Sequence, residues 1–137
     1  MKLKLNRIDE PFVFELANEN GATCKIDANE KIGGKNQGLN PMQLLAGSIA
    51  GCMSIDVVLI LQKQRITPKT YFIELNAQRI EGTPSPFESI ELAFYVSSEV
   101  PLKKLEKAVQ LSAEKYCSAV FSINPNIKLT YTFHHVV

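Results

Sequence analysis

Two cysteines offer the most distinctive chemistry in this chain. Cys52 lies inside its most apolar stretch, which runs from Asn40-Pro41 to Leu61, and Cys117 stands among apolar residues far along the sequence. A thiol on a buried helix is ordinarily a small core residue, but two on separate helices can form a redox couple once a fold brings them together. Ser48, Cys52 and Asp56 follow at four-residue spacing and so share one helical face. Apolar surroundings and a carboxylate one turn away both disfavour a thiolate, and Cys52 lies about three turns beyond Pro41, out of reach of the helix dipole. On composition alone Cys52 therefore reads as structural, and a reactive Cys52 needs a cation beside it. Arg7 is the first candidate, because the alternation that puts Leu3 and Leu5 on one strand face puts Arg7 there too. The alternative is that Arg7 lies past the buried stretch and points to solvent. Arg65 and Arg79 are weaker candidates, near a helix end and a strand end. Cys117 follows Val109 and Ala113 at helical spacing and precedes Val120, which places it on a buried helical face where packing alone explains it. Cys24, in a hairpin strand, receives no role.

Other chemistries fail on their motifs. Gly33-Gly34-Lys35-Asn36-Gln37-Gly38 has the composition of a phosphate loop, but Leu39-Asn40 stands where Lys-Ser/Thr is required. The two histidines, His134 and His135, are adjacent near the C-terminus, and no Cys/His spacing suits a metal site, so no metal and no cofactor is expected. A serine, histidine and carboxylate arrangement is equally unsupported. Thiol chemistry is what remains.

The elements that must position these thiols are legible from periodicity. Leu3 and Leu5, then Phe12, Phe14 and Leu16, alternate with polar residues as strands do, and Asn18 to Gly21 is a turn before a third strand over 22–27. The glycine-bearing segment 29–40 reads as a loop. Pro41 fits the first position of a long helix reaching Lys63-Gln64-Arg65, stopped by Thr67-Pro68. Two antiparallel strands follow, around Tyr71–Leu75 and Ile90–Val96, joined by a Pro/Gly loop. A second helix opens at Pro101 and carries Leu102, Leu105, Val109, Ala113, Cys117 and Val120 on one face, and a last strand holds Ile127, Leu129, Tyr131 and Phe133. The order β-β-β-α-β-β-α-β predicts an α+β fold in a single domain over 1–137, with helices packed on mainly antiparallel sheets.

Composition narrows the partners. Fifteen Lys and Arg against 14 Asp and Glu give a net charge of +1, without a basic run, which argues against nucleic acid. Met42 to Leu61 is long enough to cross a bilayer, but Asp56 would be expensive in hydrocarbon and the flanking amphipathic segments need a globular core, so no membrane is expected. Three cysteines and a start without a signal-like apolar run predict a cytoplasmic protein whose thiols begin reduced. Gly47 and Gly51 on the central helix, each costing about 1 kcal/mol relative to Ala, suggest close approach of another backbone, either a partner's helix or a segment of the same chain.

The stretch from Gly33 to Arg65, with its Asn-Pro-Met-Gln-Leu-Leu helix start, Gly51-Cys52 and Asp56-Val57, resembles the signature of the OsmC/Ohr family. Ala113-Glu-Lys-Tyr-Cys117-Ser-Ala-Val is similar to that family's second cysteine motif, and the element order agrees over the whole chain. The resemblance implies an OsmC-like fold in an intertwined homodimer, with long central helices against the sheets. It also implies a thiol peroxidase of organic hydroperoxides, without cofactor, in which Cys52 attacks, Cys117 resolves and a dithiol reductant reopens the disulfide. Active branches add an arginine from an N-terminal strand, for which Arg7 is the counterpart, and a glutamate at the central helix start. Here Met42-Gln43 stands in that place, so a Gln43 hydrogen bond would have to replace the salt bridge, and the chain looks closer to the YhfA-like branch. The other reading that follows is a non-catalytic dimeric module that binds a small apolar ligand and keeps its cysteines as packing residues.

Overall fold

The alternating residues of the N-terminal third pair as expected. In the computed structural model, which describes residues 1–136, β1 (Leu3–Asp9), β2 (Val13–Asn18) and β3 (Thr23–Ile26) form an antiparallel sheet in the order β1-β2-β3. The chain divides into two units, 1–45 and 46 onward, with the long helix α1 (Pro41–Lys63) running across the boundary.

In the first unit the loop 27–40 is organised by Asp27, whose carboxylate accepts hydrogen bonds from the backbone N–H groups of Ala28, Lys35 and Gln37. Burial pushes this carboxyl up, but those three N–H groups and the Lys35 charge together hold it below the usual range. The glycines have a steric rather than phosphate-binding reason. A Cβ on Gly34 would fall 1.8 Å from the Ala28 carbonyl oxygen, and one on Gly38 would fall 2.6 Å from the Lys25 backbone. That close approach lets Leu39 bridge in parallel to Ile26 beside β3. Helix α1 then starts in a capping box: the Gln43 N–H donates to Asn40 Oδ1 and the Asn40 N–H donates to Gln43 Oε1, each at 2.9 Å.

In the second unit α1 buries Ala46, Ile49, Met53, Val57 and Leu61, one residue per turn on a single stripe. The helix has the length and apolarity of a membrane span, yet this stripe is what a core helix presents. Strands β4 (Tyr71–Arg79), β5 (Phe87–Val96) and β6 (Lys128–His135) form the second sheet, and Ile90, Leu92, Phe94 and Val96 turn one face of β5 into the core. β4 pairs antiparallel with β5, but β6 pairs parallel to it, because the chain returns through helices and not through a hairpin. The hydroxyl of Tyr71 in β4 donates to Ser54 Oγ of α1 at 3.1 Å, tying helix to sheet two residues past Cys52. Burial pushes that phenol up to about 12, only partly offset by the Ser54 hydrogen bond.

The second helix is not continuous as its periodicity predicts. It runs as α2 (Leu102–Leu111), widens into a π turn over Ser112–Tyr116, breaks at Cys117 and resumes as α3 (Ser118–Ser122). The Cys117 N–H donates to the Ser112 carbonyl at 2.8 Å, five residues back, which defines the wide turn. Cys117 itself is extended, so it sits at a joint and not on a helical face.

Candidate functional site

The break in the second helix delivers Cys117 to α1. The sulfurs of Cys52 and Cys117 and a carboxylate oxygen of Asp56 all lie within 4.8 Å of one another, and both thiols are free. Cys52 and Asp56 are neighbours because four residues on a helix return to the same face. Cys117 reaches them because its extended conformation turns its side chain out of the helical register. Cys117 is fully buried, whereas Cys52 and Asp56 are half-buried.

Burial pushes the Cys117 thiol up to about 11; the Val120 N–H, donated to its sulfur at 3.5 Å, works against this, while the neighbouring Cys52 adds to it. Cys117 is therefore a neutral thiol at neutral pH. Tyr131 of β6 lies beside it, its phenol raised first by burial and then by the Cys117 charge. Asp56 is oriented by Ser112, a buried residue whose hydroxyl donates to Oδ2 at 2.7 Å. Ser112 and Tyr131 were beyond reach of sequence spacing, since the π turn that aims Ser112 has no proline or glycine to announce it. Asp56 was visible at its i,i+4 position, but only as a carboxylate unfavourable to a thiolate.

A groove of about 370 Å³ opens beside Asp56, lined by Leu59, Ile60, Leu111 and Tyr116, with Lys63 and Gln64 at its polar side. It is apolar enough to take a hydrocarbon group, and it meets the thiol cluster through Asp56 and not through either cysteine.

Of the remaining sequence candidates, Arg65 lies just past the end of α1 and Arg79 donates its Nε–H to the Ser85 carbonyl at 2.7 Å, whereas Arg7, Met42 and Gln43 belong to the first unit. Arg7 sits on β1, which is exposed along its whole length, so Leu3 and Leu5 do not face a core within the chain. The Arg7 side chain is 55% exposed, and its guanidinium lies 3.9 Å from the Glu10 carboxylate. Gln43 is held in the capping box, and Met42 beside it is half-buried in the first turn of α1. Of the histidines, His134 stacks on Tyr95 and His135 bonds the Val100 carbonyl, so neither joins the thiol cluster. A Cβ on Gly47 or Gly51 would meet nothing within 4 Å, so among the described residues no segment of this chain makes the close approach that the two glycines suggest.

Known proteins agree with this architecture. A family described as OsmC-like protein matches residues 34–132, which contain all three members of the cluster. Protein YhfA of Escherichia coli is 35% identical over 98 residues, 71% of this chain and 73% of its own. A crystal structure of a hypothetical protein from Aquifex aeolicus superposes with a TM-score of 0.83 at 32% identity, covering 98% of this chain and 95% of that one. The organic hydroperoxide resistance protein OhrB of Bacillus subtilis shares the fold, with a TM-score of 0.67, 17% identity and coverage of 97% and 98%. With its family signature spanning both cysteines and its nearly complete structural overlap, the chain belongs to the OsmC-like family, in the YhfA-like branch.

Proposed function

We propose that this protein is a thiol peroxidase that reduces organic hydroperoxides, with Cys52 as the attacking and Cys117 as the resolving cysteine. The observation that carries this reading is the approach of the two free sulfurs to within 4.8 Å, beside an apolar groove. In the first step Cys52 loses its proton to solvent and attacks the hydroperoxide as a thiolate. The O–O bond breaks, Cys52 becomes a sulfenic acid, and the departing alkoxide takes a proton from solvent to leave as an alcohol. The Cys117 sulfur then attacks the sulfenic sulfur as its proton passes to the departing hydroxyl oxygen; the S–O bond breaks, water leaves and a disulfide forms. A dithiol reductant restores both thiols and is itself oxidised to a disulfide. The family resemblance alone supports Arg7 as the cation for the Cys52 thiolate and Met42 and Gln43 as substrate-side residues.

The working form is a homodimer. Ile55 (66% exposed) and Leu59 (51% exposed) lie on the same helix as the unfilled spaces at Gly47 and Gly51, and a second α1 fits a surface that combines apolar side chains with close backbone access. The groove by itself also suits a non-catalytic module for an apolar ligand. The two readings separate in a turnover assay with cumene hydroperoxide and a dithiol reductant. Catalytic loss of the hydroperoxide that disappears in Cys52→Ser is the expected result. No turnover, together with saturable binding of an apolar compound, would replace the enzyme with the module.

A further inference from the structure

The geometry of the thiol cluster points to a second occupant: we propose that reduced protein binds one Zn²⁺ ion per chain through Cys52, Asp56 and Cys117. Two sulfurs and one carboxylate oxygen, all ionisable to anions, converge within 4.8 Å. Among the described residues, no Lys, Arg or His forms an ion pair with Asp56. For a disulfide alone the carboxylate adds nothing to the bond that forms, whereas for a cation it completes a set of three anionic donors.

The donor types and their placement fit zinc. Thiolates select soft and borderline ions, and a carboxylate beside them excludes neither zinc nor its tetrahedral preference. With bonds of about 2.3 Å to sulfur and about 2.0–2.2 Å to oxygen, tetrahedral ligands lie roughly 3.4–3.8 Å apart, so the cluster need contract by only about 1 Å. The spacing Cys52-x-x-x-Asp56 puts two ligands one helical turn apart, the arrangement that helical zinc sites use for paired ligands. Cys117 closes the set from the joint between the π turn and α3, where its backbone is already extended. The Ser112 hydroxyl, donating at 2.7 Å to Oδ2, holds the carboxylate as an outer partner does in metal sites. Three protein ligands leave the fourth position to water. Binding releases the two thiol protons to solvent, involves no electron transfer and cannot coexist with a Cys52–Cys117 disulfide.

Sequence spacing does not announce this set, because its third member comes from an element 61 residues after Asp56. Cobalt substitution tests it directly. Reduced full-length protein titrated with Co²⁺ under anaerobic conditions should develop a sulfur-to-cobalt charge-transfer band in the near ultraviolet and the visible bands of a tetrahedral ion. The titration should saturate at one ion per chain and be reversed by Zn²⁺. Cys24→Ser should leave the spectrum unchanged, and Cys117→Ser should remove much of the charge-transfer intensity. Ser112→Ala should weaken Zn²⁺ binding about ten- to a hundredfold, and Asp56→Asn by more. Absence of the band, or equal Zn²⁺ affinity in Asp56→Asn, overturns the proposal. If Asp56→Asn does not fold, equal affinity in Ser112→Ala overturns it instead. None of these readouts involves peroxide, so their failure is distinct from failure of the peroxidase reading.

Discussion

Cys117 keeps its proton because it is buried, whereas Cys52 is only half-buried; that difference in access is consistent with the proposed roles of Cys52 as attacking and Cys117 as resolving cysteine. Replacing Arg7 with Ala should lower kcat/KM on the order of a hundredfold while leaving the fold intact, as loss of one electrostatic stabiliser does. Stopped-flow consumption of cumene hydroperoxide measures this, and an unchanged rate would remove Arg7 from the site. Asp27 makes a different kind of prediction. Its folded carboxyl titrates below the ordinary value of 3.8, so its contribution to stability is fully present above that value. As pH falls the unfolded chain takes up the proton first, and the contribution is lost as pH drops through the folded value. Asp27→Asn should therefore lower the urea midpoint at pH 7 and flatten its fall in acid, because an amide cannot accept the hydrogen bonds that Lys35 and Gln37 give to Oδ2.

The elements place these residues with unequal transparency from the sequence. Helix α1 was legible throughout, since Pro41 starts it and a stripe of apolar residues sustains it, and the i,i+4 relation of Cys52 to Asp56 followed from that. The site as a whole was not. Residues 112–117 read as ordinary helix, and only their placement beside α1, with buried Ser112 bonded to Asp56, accompanies the π turn and the break that free Cys117. Strand alternation likewise reports faces and not direction, so the parallel pairing of β6 to β5 lay outside it. The glycines of the 29–40 loop were visible as a loop, but their cause was the contact with Ala28 and Lys25, which no local pattern encodes. Met53 lies wholly buried one residue after Cys52, and Met53→Ala should cost about 2–5 kcal/mol in chemical denaturation. Gly34→Ala should cost about 1–3 kcal/mol because the added carbon meets a carbonyl oxygen.

At the scale of the whole molecule, the exposed apolar residues of α1 and of β1 are surfaces that a single chain leaves uncovered, and a second copy is the occupant proposed for them. Sedimentation equilibrium should give twice the 15.3 kDa chain mass, and Ile55→Glu should shift it toward one chain. The peroxidase account requires that the redox event stay within each chain even in such an assembly, because Cys52 and Cys117 meet inside one subunit. Intact-mass analysis under non-reducing conditions, after one equivalent of cumene hydroperoxide, tests this most directly. The account predicts single chains lighter by two hydrogens, with a peptide linking Cys52 to Cys117. Unchanged free thiols, or equal oxidation in Cys52→Ser, would contradict it.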